Sequence, residues 1–227
     1  MIKGLRTPVR RDDAAYYIFL MLAAFAISVV GTRIYLEVTG YPQIGGGDLH
    51  IAHVLWGGLA MFIGSLIPLI YANRWAYRAG AILGGVGVGF FIDEVGKFIT
   101  ASNDYFYPLA APIIYATFLI TLIIFARARQ PIQPNPRVEL YHALDGLREI
   151  LDRDLNAREK SALETRLTYV QEHAGDSSEK ELASALLEFL RSQHLQTLPD
   201  RRGVLGSFIV LWLKFEQRFL KRSASAI

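Results

Sequence analysis

The chain has 227 residues, of which 52% are hydrophobic and 20% charged, with a net charge of +3 and no cysteine. The lack of cysteine excludes disulfide bonds, thiolate metal sites and thiol nucleophiles. Charged residues are nearly absent from residues 14–126 and dense over residues 127–200, which indicates that the two parts face different solvents. The first apolar run, residues 14–30, is too long for a cleavable signal, and we expect it to remain in the mature protein.

Four segments are long and apolar enough to cross a bilayer as helices, at residues 14–36, 49–72, 79–100 and 106–126. A hydrocarbon core about 30 Å thick needs roughly 20 apolar residues in a helix, because every backbone amide must be satisfied within the segment. None of the segments alternates with a period of two, which excludes strands. The sequence therefore predicts an all-α, polytopic membrane protein, with a tail at residues 1–13 and a four-transmembrane-helix bundle at residues 14–127.

Basic residues at the ends of these segments predict their orientation, because Lys and Arg accumulate on the cytoplasmic side. They occur in the amino-terminal tail, in the second loop and after the fourth segment, at Lys3, Arg6, Arg10, Arg11, Arg74, Arg78, Arg127 and Arg129. The other two loops, between Arg33 and Arg74 and between Lys97 and Arg127, contain neither residue type. We therefore expect both termini to be cytoplasmic.

Residues 128–200 are predicted to form a cytoplasmic helical domain. Pro131, Pro134 and Pro136 end the fourth membrane helix. Three amphipathic helices follow, near residues 137–151, 156–174 and 177–194, with Asn156 capping the second and Ser177 or Ser178 the third. Because their apolar faces are small, we expect the helices to pack on one another, on the membrane surface or on a second subunit.

Residues 201–227 carry a short apolar stretch surrounded by basic residues. The stretch, residues 204–213, is about half the length needed to span a bilayer. We expect an amphipathic helix over residues 203–222 that lies in the cytoplasmic interface, with Phe208, Trp212, Phe215 and Phe219 directed inward. The alternative is a helix packed against the soluble helices.

Ionisable residues inside the predicted spans are the main functional indication, because each is costly there by roughly 2.5 to 3.5 kcal/mol. They are Arg33, Glu37, Asp48, His50, His53, Asp93, Glu94 and Lys97, followed by Asp104 in the next loop. Alternating topology brings these ends of the first three spans to the same side of the membrane. The sequence therefore predicts one composite polar site in the extracytoplasmic leaflet.

Within this site, Asp93 is expected slightly past the midplane, where it needs a partner. Lys97 follows one helical turn later and shares a face with it, whereas Glu94 is predicted to point about 100° away. Gly85 and Gly89 precede Asp93 on the same stripe, which favours close helix contact. Arg33 and Glu37 form a second same-face pair. The alternative reading is an ion pair that only fixes helix packing.

A metal site is the second interpretation of these residues. His50 and His53 lie on one face of a helix, with Asp48 nearby and Asp93 or Glu94 across the interface. Histidine and carboxylate ligands of this kind suit a divalent zinc, iron or manganese ion. Histidines near the start of a helix are, however, commonly interfacial or hydrogen-bonded.

Three strings carry a resemblance to a known family. They are GYPQIGGGDLHIAHVLWGG at residues 40–58, FIDEVGKFIT at residues 91–100 and NDYF at residues 103–106. Together they resemble an uncharacterised family of bacterial multi-pass membrane proteins. The resemblance covers the membrane half of the chain. It implies a location in the bacterial inner membrane and no activity.

Three functions fit these features. The first is a homo-oligomeric cation channel with an acidic ring of Asp93 or Glu94 and a polar pathway that includes Lys97, Arg33, Glu37 and Asp104. The second is a membrane-embedded metal-dependent enzyme, or a metal or ligand sensor, that uses the histidines and carboxylates. The third is an accessory subunit of a larger membrane complex. The expected partners are the lipid bilayer, a second copy and a cytoplasmic protein bound by residues 137–200, and no nucleic acid.

Overall fold

The computed structural model describes residues 8–40, 52–102, 104–152 and 155–192. The chain divides into two compact units, Met1–Gln133 and Pro134–Ile227. The described residues are helical, with no β-strand among them. The units divide within the proline-containing segment that was predicted to end the fourth membrane helix, so the change of composition along the sequence coincides with a change of unit.

The described residues of the first unit form five helices. They are α1 (Ala14–Thr39), α2 (His53–Ile70), α3 (Arg74–Asp93), α4 (Val95–Ile99) and α5 (Ala110–Ala128). All but the short α4 are long and apolar enough to cross a membrane, in agreement with the four predicted segments. Helix α1 extends three residues past the predicted end, and Gly40 terminates it in the left-handed region with φ 71°, where its N–H donates to the Leu36 carbonyl.

Helix α3 lies between α1 and α2, and α5 packs mainly against α1. The glycines of α3 allow α1 and α2 to approach it closely. Gly85 and Gly89 face α1, where an added Cβ would collide with the Met21 carbonyl oxygen and the Ser28 hydroxyl. The predicted close contact along this stripe is confirmed. Small residues matter here because helices in lipid associate through backbone proximity and packing rather than through exclusion of water.

A second glycine face of α3 meets α2. A Cβ at Gly87 would lie 2.6 Å from the Gly57 carbonyl oxygen, and one at Gly80 would lie 2.8 Å from the Gly64 carbonyl oxygen. Because glycine occurs on both helices at each contact, the two backbones touch directly. Helix α3 therefore has no room for larger side chains at these glycine positions.

At the other end of the unit, the segment before α1 is tied to the end of α5. The Arg10 guanidinium donates to the carbonyl oxygen of Arg127 at 3.1 Å and also to that of Gln130. The last carbonyls of a helix have no intrahelical partner, and a cation is favoured beside them. Arg11 pairs with Asp13 at 3.0 Å and lies 4.2 Å from the centroid of the Tyr77 ring.

The second unit contains α6 (Pro136–Gly146), α7 (Arg148–Leu151), α8 (Ala157–His173) and α9 (Ser177–Arg191). Helix α8 packs against both α6 and α9. The core consists of Leu140, Ala143, Leu155, Leu163, Leu167, Val170, Ala174, Ala183, Leu187 and Leu190. The predicted Asn156 cap is confirmed as a capping box with Glu159, whereas α9 is capped by Asp176 and not by Ser177 or Ser178. Residues 193–227, including the predicted interfacial helix, lie outside the described residues.

Candidate functional site

Asp93, the last residue of α3, has a fully buried side chain. Arg33 of α1 donates from Nε to its Oδ1 at 2.6 Å, and the Tyr105 hydroxyl donates to its Oδ2 at 2.5 Å. His53, at the start of α2, places Nε2 3.3 Å from the same Oδ2. Side chains from two further helices and from the loop before α5 therefore meet at one carboxylate.

Glu94 lies at the break between α3 and α4 and is only 1% exposed. Its Oε1 accepts from Lys97 Nζ at 2.6 Å, and its Oε2 accepts from the backbone N–H of Val54 at 2.9 Å. Val54 belongs to the first turn of α2, where Ala52 at the N-cap position has no side-chain oxygen to accept from the unpaired N–H groups. Glu94 therefore caps α2 from a neighbouring helix, and its charge compensates the positive end of the α2 dipole.

This break corrects the predicted pairing of charges. A continuous helix over residues 79–100 would direct Asp93 and Glu94 about 100° apart and place Lys97 beside Asp93. Instead, Glu94 has φ −91° and ψ 7°, and both carboxylates are buried. Lys97 pairs with Glu94, while Asp93 is paired with Arg33. Arg33 is thus directed at Asp93 rather than at Glu37, which is exposed.

The His53 ring lies between the two carboxylates. Its Nε2 is 3.3 Å from Asp93 Oδ2 and its Nδ1 is 3.5 Å from Glu94 Oε1. The Nε2 atom is enclosed by protein, and its approach to Asp93 is close enough for an ionic contact but not aligned as a hydrogen bond. The edges of Phe90 and Tyr105 surround the ring, with centroids 6.0 and 6.3 Å away. His53 therefore connects α2 to both acidic residues.

Tyr105 completes the site and was not predicted to belong to it. The Arg33 guanidinium lies over the Tyr105 ring, 4.8 Å from the ring centroid. Lys97 Nζ lies 5.5 Å from the same centroid. Burial first, and then the hydrogen bond to Asp93, raise the pKa of the Tyr105 phenol above its usual value, which keeps the hydroxyl protonated as a donor. In the sequence, this tyrosine lies just before the fourth predicted segment, where aromatic residues are common at a membrane boundary. Its position twelve residues beyond Asp93, after a short helix, gave no spacing signal.

We call this set of residues the charge cluster: Arg33, His53, Asp93, Glu94, Lys97 and Tyr105. Its acids are buried, whereas the side chains of Arg33, Lys97 and His53 are 36%, 26% and 21% exposed. Long basic side chains can reach a polar surface while their neighbours stay in an apolar one. With His53 neutral, two carboxylates are balanced by two permanent cations, which removes most of the penalty of enclosing them.

The structure brings these residues together, but some candidates do not join them. Glu37 is exposed on α1. Asp104 is also exposed, and its carboxylate accepts from the Phe106 N–H at 2.9 Å, which stabilises the turn before α5. Asp48 and His50 lie outside the described residues. The cluster therefore recruits one residue, Tyr105, that the sequence did not assign to it, and omits two that it did.

The metal-site prediction finds no ligand set among the residues that the structure describes. In that part of the chain, no group of three histidine, aspartate or glutamate side chains could hold a metal ion. Asp93 and Glu94 are instead occupied by Arg33, Tyr105 and Lys97. A set completed by Asp48 and His50 stays a prediction.

Comparison with known proteins adds no assignment. No protein family, curated protein or solved structure matches the chain. The geometry of the charge cluster is therefore the basis on which a function can be inferred.

Proposed function

We propose that the chain is an integral membrane protein that senses protons at the charge cluster, with His53 as the residue that gains and loses the proton. The observation that supports this function is the position of the His53 ring between two buried carboxylates, 3.3 Å from Asp93 and 3.5 Å from Glu94. Histidine is the side chain whose ordinary charge change falls between about pH 5 and 8.

The two protonation states of His53 differ in what they can bind. A neutral imidazole has one N–H, so it can donate to Asp93 or to Glu94 while its other nitrogen directs a lone pair at the second carboxylate. An imidazolium carries an N–H on both nitrogens and a positive charge, so it attracts both carboxylates. The remaining groups around the ring, Arg33, Lys97 and Tyr105, already serve the carboxylates as donors. Protonation therefore strengthens the attachment of α2 to α3, and loss of the proton weakens it.

We place the cluster on the extracytoplasmic side of the bacterial inner membrane, with both termini in the cytoplasm. The support is the distribution of basic residues, which favours the cytoplasmic side for the end that carries Arg10, Arg74 and Arg127. Protonation would then report the acidity outside the cell. Residues 137–200 would face the cytoplasm, where a partner protein could receive the signal.

A site open to one side explains the distribution of hydroxyl groups better than a pathway through the membrane does. Ser28, Ser65, Thr117 and Thr121 donate to backbone carbonyls of their own helices, which leaves few groups to replace the hydration of a moving ion. A cation channel with an acidic ring would also require Asp93 or Glu94 to face an axis between subunits, and both are enclosed within one chain. The channel, the metal-dependent enzyme and the accessory subunit stay predictions.

The proposal is tested by the pH dependence of the α1–α2 distance in lipid nanodiscs. Because the chain has no cysteine, Val38→Cys on α1 and Leu55→Cys on α2, both strongly exposed, can be spin-labelled without background. We expect a change in the distance distribution between pH 5 and 8 that is absent with His53→Gln and retained with His173→Gln, an exposed histidine of the second unit. A pH response that is unchanged by His53→Gln would contradict proton sensing at this residue.

Ion flux separates the sensor from the channel. We expect proteoliposomes containing the protein to show no cation flux above protein-free liposomes. A flux that Asp93→Asn abolishes and that Glu37→Gln leaves intact would overturn the one-sided sensor and favour the acidic ring. The oligomeric state in the same lipid tests the ring further, because a monomer has no central axis.

A further inference from the structure

Helix α9 carries two apolar stripes side by side. The buried stripe consists of Ala183, Leu187 and Leu190, which pack in the core against α8. The second stripe consists of Leu182, Leu186 and Phe189, each one residue earlier and therefore about 100° around the helix. Leu182 and Phe189 are 42% and 50% exposed, and Leu186 is only partly buried. Leu186 also packs against the edge of the core, so Leu182 and Phe189 are the members of the second stripe that stay largely uncovered by the described residues.

Three aligned apolar residues at helical spacing form a docking face, unlike single exposed leucines, which are common on protein surfaces. The described helices cover this face only at Leu186 and leave Leu182 and Phe189 largely exposed. The segment that follows α9 in the chain, residues 193–227, lies outside the described residues. Its sequence contains the aromatic residues noted above, at spacings of four, three and four.

We propose that the second stripe of α9 is the docking site for the chain's own carboxy-terminal segment, residues 203–222. Phe208, Trp212, Phe215 and Phe219 fall on one face of a helix over these residues, as the spacing requires for packing along a stripe. This places the segment against the second unit, in place of the membrane interface that the sequence alone favours.

Charge complementarity favours this occupant. Glu181 and Glu188 are exposed on α9 along the side of the second stripe that lies away from the core. The carboxy-terminal segment is strongly basic, with Arg218 and Arg222 on the edge of its aromatic face. A helix packed on the second stripe therefore brings opposite charges together along one border, which fixes its orientation as well as its position.

The connection is long enough. Residues 192–202 reach up to about 40 Å when extended, whereas α9, with 15 residues, is about 22 Å long. The segment can therefore return along α9 in either direction. Its attachment to the same chain raises its effective concentration at the stripe to about the millimolar range, which favours an intramolecular contact over one with a second copy.

Disulfide cross-linking tests the docking in the full chain reconstituted in liposomes. The test variant combines Phe189→Cys with Phe208→Cys, and a second combines Phe189→Cys with Phe219→Cys, so that either direction of docking is detected. The matched control replaces Phe189→Cys by Leu151→Cys, which is 83% exposed and lies on α7. We expect at least one test variant to form an intramolecular disulfide about tenfold faster than its control.

Charge reversal provides the second measurement. Glu181→Lys with Glu188→Lys should slow this cross-link severalfold, whereas Glu172→Lys, an exposed position on α8, should not. Cross-linking equal to that of the Leu151→Cys controls would overturn the proposal, with the membrane interface as the remaining location for the segment. Disulfides formed only between chains would overturn it in favour of a second copy as the occupant.

Discussion

The two units of the chain differ in their largest fully buried side chains. In the first unit these are Asp93 and Glu94, while large apolar residues such as Leu69 and Ile27 are exposed. In the second unit they are Leu167, Val170 and Leu190, and many charged residues are exposed. Among the described residues, the largest fully buried side chains are thus acidic in one unit and apolar in the other.

With the first unit in a membrane, as proposed, this contrast indicates which force holds each unit together. Apolar burial stabilises a unit that is surrounded by water, because it removes apolar surface from that solvent. Lipid is as apolar as leucine, so helices in it are held by close packing and by polar contacts between helices. The glycine contacts of α3 and the charge cluster supply those two interactions in the first unit. The five predictions below test this contrast.

The largest expected effect is in the second unit. Leu167→Ala removes a fully buried side chain and should lower the free energy of unfolding by about 4 kcal/mol, because the lost transfer free energy adds to the cavity that remains. Hydrogen exchange of α8 in the reconstituted chain measures the loss. Leu20→Ala, an almost equally buried position on α1, should have a clearly smaller effect, since its unfolded reference also lies in lipid. Equal losses would remove the contrast between the units.

Next in size is the loss of the central carboxylate. Asp93→Asn should destabilise the first unit by about 3 kcal/mol, because Arg33 loses its charged partner; we use the lower end of the range for buried pairs since Arg33 can reach solvent. Unfolding in detergent mixtures of increasing denaturing strength measures this loss of stability. Glu37→Gln, which removes an exposed carboxylate on α1, is the control and should change stability by less than about 0.5 kcal/mol.

Overpacking the glycine contact should have a somewhat smaller effect. Gly87→Ala places a methyl group 2.6 Å from the Gly57 carbonyl oxygen and should cost about 2 kcal/mol, because two backbones have to separate. Gly84→Ala, on the same helix with open space at its Cβ, is the matched control. If both variants unfold at the same denaturant concentration, direct backbone contact does not hold α2 to α3.

Removal of a helix cap in the second unit is a milder change. Asn156 accepts from the N–H groups of Arg158 and Glu159 at the start of α8. Asn156→Ala should therefore lower stability by about 1 kcal/mol. The measurement is hydrogen exchange at the first turn of α8. Asn156→Asp retains the acceptor and should stay near the parent.

The smallest effect concerns the cap of α9 and depends on pH. Hydrogen bonds from the side chain and the backbone of Ser178 lower the pKa of the Asp176 carboxyl. A lowered pKa means that the contribution is present above the unfolded value of about 3.9 and is lost as the pH falls through the folded value. The first turn of α9 should therefore lose protection against hydrogen exchange, measured relative to the intrinsic rate at each pH, as the parent is acidified, whereas the protection in Asp176→Asn should not change with pH.

The sequence was sufficient to predict the helices and the meeting of polar groups at one end of the first unit. The helices follow from the length of the apolar segments. The meeting of polar groups follows because a buried charge needs a partner. It could not predict which base meets which acid, because that pairing depends on the break at Glu94. The local sequence around Glu94 contains no proline to announce a break; what stabilises it is the contact of Glu94 with α2, which is not local.

The position of Tyr105 could not be predicted from the sequence either. Its position in the loop before α5 depends on how α4 directs the chain after the break, and aromatic residues near membrane boundaries are common without any polar role. Capping of α2 by Glu94 was likewise invisible, because cap patterns are recognised from residues next to the helix. Sequence patterns therefore describe contacts within a helix better than contacts that one helix makes for another.

The contact between Arg10 and the end of α5 has a consequence for biogenesis. The guanidinium is synthesised first, and the carbonyls of Arg127 and Gln130 that it binds are synthesised more than a hundred residues later. Their contact can form only after the ribosome has delivered the last apolar helix. It thus marks completion of the first unit, and a tag fused close to Arg10 would interfere with this final step rather than with any earlier one.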